Sequence, residues 1–284
     1  MLPPETFADS LGFEFVTIAA EEGPFHIEVS DLDLDMVQIV AGEGDNQIGF
    51  SAIKTLLCSA CPWFDTTLFL QEWSGIQPGP NIIEFPDVTP RTINAFITWL
   101  GGIPLEHLGK WTLESMVDLY LFGEKICCHN LKNKVMDMIQ GYLVDTSWQN
   151  KRSEELNSEL ILRIFKKTSS TKTAPLRKFC AAVIIWNGRD DKYGPNQDVR
   201  ETFKKCEEFK QEYDVVWNEG ASRVLLGHGY RDPYKACTGG VCNFSRCAFH
   251  FHEKSEEENI KEDGVWEDGE WKAAVLCEEL PFRV

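Results

Sequence analysis

Basic residues are scarce in this chain: 28 Lys and Arg stand against 45 Asp and Glu, a formal charge of -17 over 284 residues. A field of that sign repels a phosphate backbone, so general binding of nucleic acid is excluded as a leading function. Long apolar runs are missing too, because no segment reaches the roughly 20 uncharged residues that a spanning helix needs. That absence predicts no membrane partner. The first residues, MLPPETFADSLGFEF, lack a basic start followed by an apolar run, so a secretory leader is not expected. An intracellular protein, cytoplasmic or nuclear, with its ten cysteines reduced, is the expectation. Catalytic signatures are also absent. No G-x-G-x-x-G, phosphate loop, G-x-S-x-G or H-E-x-x-H occurs. His26, His107, His129 and His228 are scattered, with no paired nucleophile at a recognisable turn. The carboxylate pairs Glu21-Glu22 and Asp190-Asp191 lie in polar, loop-like sequence. The chain reads as non-enzymatic.

What it does have is apolar material, 43% hydrophobic and 12% aromatic, enough for a real core. Residues 1–34 are acidic and interrupted by Pro3, Pro4, Gly23 and Pro24, a lead-in segment. MVQIV (36–40), the turn residues AGEGDN, then Ile48 and Phe50 predict a hairpin. Ser51 is a candidate N-cap for a helix carrying Ile53, Leu56 and Leu57, and Pro62 ends that helix or begins the next. NIIEF (81–85) reads as a further strand. Helical spacing then recurs in Ile93/Phe96/Ile97/Leu100, Leu113/Met116/Val117/Tyr120 and Leu131/Val135/Met138/Tyr142. The fold class is α+β, a small sheet followed by stacked amphipathic helices. Leu160/Ile161/Ile164/Phe165 and Leu176/Phe179/Cys180/Val183 extend the helical pattern, and a charged helix is expected from about Val199 to Trp217. Past Gly220 the period fades.

The ordered set of front-half segments resembles a BTB/POZ domain of the fungal type. Val37, Ile39 and Val40 match its first strand, and Lys54, Leu56 and Leu57 its lysine-bearing helix start. Trp63 and Phe64, then Phe96, Trp99 and Leu100, match the following elements. Leu119, Tyr120, Phe122, Glu124 and Lys125, and after them Leu131, Asn133, Val135, Met136 and Asp137, match the closing helices. The resemblance implies a lead-in at 1–34, a BTB/POZ domain at 35–145, a helical C-terminal extension at 146–219 and a Cys/His-bearing acidic tail at 220–284. It also implies protein partners, among them cullin-3, as a ubiquitin-ligase substrate adaptor, or a second copy of the chain, as a self-associating scaffold. Ile53 replaces the histidine usual before the lysine, and Gly75 stands where the cullin-gripping glutamate would fall in Trp73-Ser74-Gly75. Because residues 1–34 carry no clean amphipathic helix, a monomer or weak homodimer is expected.

Two cysteine groups bear on chemistry. Cys58 and Cys61 are spaced C-x-x-C, but no second pair is near in sequence and no parallel βαβ pattern precedes them, so they read as core packing. Cys127, Cys128 and Cys180 read the same way, on apolar faces. YKACTGGVCNFSRCAFHFHE (234–253) places Cys237, Cys242, Cys247, His250 and His252 together. Thiolate and imidazole are the ligands that Zn²⁺ takes tetrahedrally. A structural zinc held by Cys242, Cys247, His250 and His252, with Cys237 as alternate, is the metal-site expectation, and a zinc-dependent regulator or enzyme centred there is the alternative function. The competing reading is a strand, with Cys247, Phe249 and Phe251 on one face and Ala248, His250 and His252 on the other. The acidic run 253–270 reads as solvated, with Trp266 and Trp271 as docking residues or as side chains folded back on the helices.

Overall fold

The structure, a computed structural model, describes residues 35–73, 81–146, 156–168, 174–188, 197–225, 233, 246–250, 266–267 and 270–271. The chain divides into two compact units, Met1–Asp35 and Met36–Val284, and the architecture below belongs to the second. It is α+β and mostly helical.

Strands β1 (Met36–Ala41) and β2 (Ile48–Ile53) form the expected antiparallel hairpin, and β3 (Ile82–Phe85) pairs parallel to β1, giving the order β2-β1-β3. Between β1 and β2 the chain reverses through Gly42 at φ 93°, where an added Cβ would meet the Asn46 carbonyl at 2.5 Å, so the turn requires glycine. Val37, Ile39, Ala41, Ile83 and Phe85 point inward and are buried. Ser51 does not cap a helix: it pairs with Gln38 inside β2. Helix α1 (Lys54–Ala60) begins three residues later, behind Ile53, with no side-chain cap. The ladder outweighs the capping signal because every β2 residue from Ile48 to Ile53 has a partner on β1.

Pro62 opens α2 (Pro62–Trp73), and α3 (Pro90–Leu100) starts on Thr89, whose hydroxyl accepts from the Thr92 N–H with proline at the first turn. Thr112 and Ser115 form a reciprocal box before α4 (Leu113–Lys125). Then follow α5 (His129–Thr146), α6 (Ser158–Lys167), α7 (Pro175–Gly188), α8 (Gln197–Lys205) and α9 (Glu207–Leu225). The aromatic centre of the front half is Phe64, Phe85, Phe96 and Phe122. Phe64 stacks on Phe96 at 5.9 Å, and Phe122 meets Phe85 and Phe96 edge-on at 5.2 Å. Helix α6 packs on α4 and α7, and α9 packs on α7, so one core runs from the sheet through the extension.

The charged helix expected over 199–217 is two helices parted at Cys206. On one straight helix, residues 203 and 209 would face about 120° apart at 100° per residue. The break brings their rings to 5.3 Å and lets Tyr213 reach Phe203 at 5.0 Å.

Candidate functional site

Arg246–Phe249 is a short 3-10 turn rather than the strand that alternation predicts. A ladder partner is what a strand needs; here Phe249 is instead fully buried, edge-on to Phe179 of α7 at 5.1 Å. His250 follows with its side chain 4% exposed, its Nε2 3.1 Å from Asp137 Oδ1 on α5. Gln140, one turn further along α5, donates from Nε2 to the Pro233 carbonyl at 3.2 Å. Two points of the tail, Pro233 and the 249–250 pair, are therefore seated on the helical body. Of the proposed zinc ligands, Cys237, Cys242 and His252 lie outside the described residues, as does the Cys247 side chain. The one that is described, His250, is engaged by a carboxylate. Among the described residues no group of three or more His, Cys, Asp or Glu is placed to hold a metal ion.

The cysteines of the front half behave differently from the sequence expectation. Cys61 and Cys128 are buried as expected, but their 67 residues of separation hide that the Cys128 side chain reaches the backbone beside Cys61. Cys61 caps the end of α1 through its N–H to the Leu57 carbonyl. Cys128 immediately precedes α5, where its thiol donates to the Ala60 carbonyl at 3.6 Å. The neighbouring Cys61 thiol draws the Cys128 thiol below its ordinary value against the opposing effect of burial, with the Leu131 N–H and the Lys132 charge helping. Cys61 moves the opposite way, raised by the neighbouring Cys128 thiol and by burial. Cys127 is exposed rather than on an apolar face, at φ 53°. Its N–H reaches Glu124 O at 3.2 Å and the Cys128 N–H reaches Gly123 O at 2.8 Å. This is the left-handed helix end that normally takes glycine. Cysteine in the glycine position concealed the motif.

Arg177 was equally hidden. It sits 5% exposed within α7, donating from Nε to Thr168 Oγ1 (2.7 Å) and from Nη1 to Glu208 (2.7 Å). Its Nη2 donates to the carbonyls of Phe165 (2.6 Å) and Thr168 (2.7 Å). These bonds close the C-terminal end of α6 and tie α6, α7 and α9 at one point.

Two surface features remain. An open cleft of about 490 Å³ is lined by Thr112, Glu114, Asn157, Glu159 and Arg163 among others. It lies where α4 and α6 begin, but Glu114 and Glu159 already occupy those first turns, and Arg163 is paired with Glu114 and Asp118. Negative charge is supplied from within, so the cleft has no anion-binding character. On α2, where Phe64 and Leu68 face the core, neighbouring Phe69 and Leu70 are 57% and 59% exposed. The expected cullin-contact segment, Trp73-Ser74-Gly75, lies just beyond, outside the described side chains. No described helix is long and apolar enough to cross a membrane.

No family model matches the chain, and the search of curated proteins finds no match.

Proposed function

We propose that this chain is a non-enzymatic protein-interaction module of the BTB/POZ type, working inside the cell as an adaptor or self-associating scaffold. What supports the reading is element order. A hairpin, two helices, a strand laid parallel to the first strand and then three helices follow one another, an order compatible with the resemblance. The residues that carry the likeness are those of the core: Phe64, Phe96, Leu119 and Phe122 are buried. The exposed Phe69-Leu70 pair on α2 supplies apolar surface of the kind that partners cover. The test is co-precipitation of the full chain with purified cullin-3, run beside its native mass. Capture of cullin-3 that Leu70→Glu removes supports an adaptor. A dimer at micromolar concentration without capture supports a scaffold. Neither capture nor self-association overturns the proposal.

A further inference from the structure

Residues 248–250 offer three side chains in succession to the surface of two helices. Ala248 packs on the core, the Phe249 ring is fully buried edge-on to Phe179 of α7, and His250 meets Asp137 of α5. Asp137 and Gln140 are three residues apart on α5 and so are neighbours on its surface. At Asp137 a carboxylate that is 32% exposed stands beside an imidazole that is 4% exposed. Gln140, itself buried, donates to main chain at the Pro233 carbonyl. An apolar seat for a ring, an acceptor next to it and an amide that holds backbone are what a short-peptide site requires. Both walls are fixed without the tail, α5 by its packing on α4 and α7 by its packing on α6 and α9. The seat therefore outlasts removal of the ring that fills it.

We infer that the face of α5 and α7 formed by Asp137, Gln140 and Phe179 is a peptide-binding site, and that Ala248-Phe249-His250 is its tethered ligand. The occupant is this chain's own tail, and the chemistry selected is an aromatic ring followed by an imidazole. Phe179 takes the ring edge-on. Asp137 selects an N–H donor at the next position, which an imidazole supplies and an apolar side chain does not. The site lies on α5 and α7, whereas the exposed Phe69-Leu70 pair is on α2, so it is a second interaction surface with its own specificity. A tethered ligand acts at an effective concentration on the order of millimolar. The site is accordingly closed in the resting chain, and it accepts a peptide in trans when the tail's own ring leaves.

The experiment titrates the full chain with a synthetic peptide copying residues 246–250, capped at both ends and carrying Cys247→Ser, and reads binding by ligand-detected NMR. The Phe249→Ala chain is expected to bind it at least about tenfold more tightly than the unaltered chain, because the tethered ring no longer competes. Adding Asp137→Ala to that chain, or making Phe249→Ala in the peptide, should weaken binding by at least about fivefold. Should Phe249→Ala fail to fold by circular dichroism, His250→Ala replaces it. That variant keeps the ring in the core, and its loosened tail should let the peptide bind at least about threefold more tightly than to the unaltered chain. A dimer of the unaltered chain that excess peptide splits also supports the site, the tail then being exchanged between copies. Equal binding to the unaltered and altered chains, binding indifferent to Asp137→Ala, or no binding to a folded variant overturns the inference.

Discussion

Replacing Arg177 with alanine removes four hydrogen bonds from a side chain that is almost entirely enclosed. The guanidinium also lies over the Phe165 ring at 4.8 Å. The losses are unequal. Glu208 is 53% exposed and regains water, so its share is below about 1 kcal/mol. The Phe165 and Thr168 carbonyls are closed off at the end of α6, and leaving each unsatisfied costs about 1–3 kcal/mol. Together with the ring contact, Arg177→Ala is expected to cost about 3–5 kcal/mol. Arg177→Lys keeps the charge but not the planar fork, and should lose about 2 kcal/mol. Glu208→Gln should lose under about 1 kcal/mol. Urea unfolding followed by far-ultraviolet circular dichroism reads all three from midpoints at constant slope. If Glu208→Gln costs as much as Arg177→Ala, the ion pair and not the helix end is what Arg177 serves, and the reasoning fails.

Phe96→Ala, at a fully buried ring stacked on Phe64, should cost about 3–5 kcal/mol in the same assay; a loss under about 1 kcal/mol refutes its central position. Cys127→Gly should raise stability by about 1 kcal/mol, since φ 53° is strained for a residue with a Cβ, and an unchanged urea midpoint counts against the left-handed turn. Burial raises Glu212 above its ordinary 4.5, so the folded chain holds that proton more tightly than the unfolded one. Its contribution is therefore present in acid and lost as pH climbs from the ordinary value through the raised one. Glu212→Gln should flatten that part of the pH–midpoint curve, and an unaltered curve refutes the assignment. The zinc expectation predicts about one zinc per chain in protein purified without chelator, with Cys247→Ser releasing it and opening residues 230–255 to protease; metal-free protein with an intact tail refutes it.

Local pattern and fold agree wherever one element decides its own shape. Ile93, Phe96 and Leu100 repeat at helical spacing and all three are buried on α3. The turn predicted from AGEGDN (41–46) closes the hairpin, with Ala41 itself the last rung of the ladder. Agreement fails where a distant partner decides. Ser51 reads as a cap in isolation but is a rung of the β1–β2 ladder. Nothing near Ala60 signals Cys128, because the bond between them is made by tertiary packing and has no spacing of its own. Nothing in the sequence marks Arg177, whose partners come from the end of α6 and the start of α9. The 3-10 turn at 246–249 took its shape from the Phe249 pocket, not from the alternation of its side chains.

The Phe249–Phe179 contact has a consequence for synthesis. Phe179 is made 70 residues before the ring that covers it, an interval of about 4–14 s at ordinary translation rates. Once Gly188 is added α7 is complete, but its apolar surface at Phe179 lacks its cover, and the nascent chain is open to association with other molecules there. A ribosome that stalls before codon 249 leaves the Phe179 face of α7 uncovered even though α1–α9 have been translated. Chaperone demand for this protein should accordingly be set by its last few dozen codons, and slowing translation between residues 225 and 249 should increase aggregation more than an equal delay placed before Phe179.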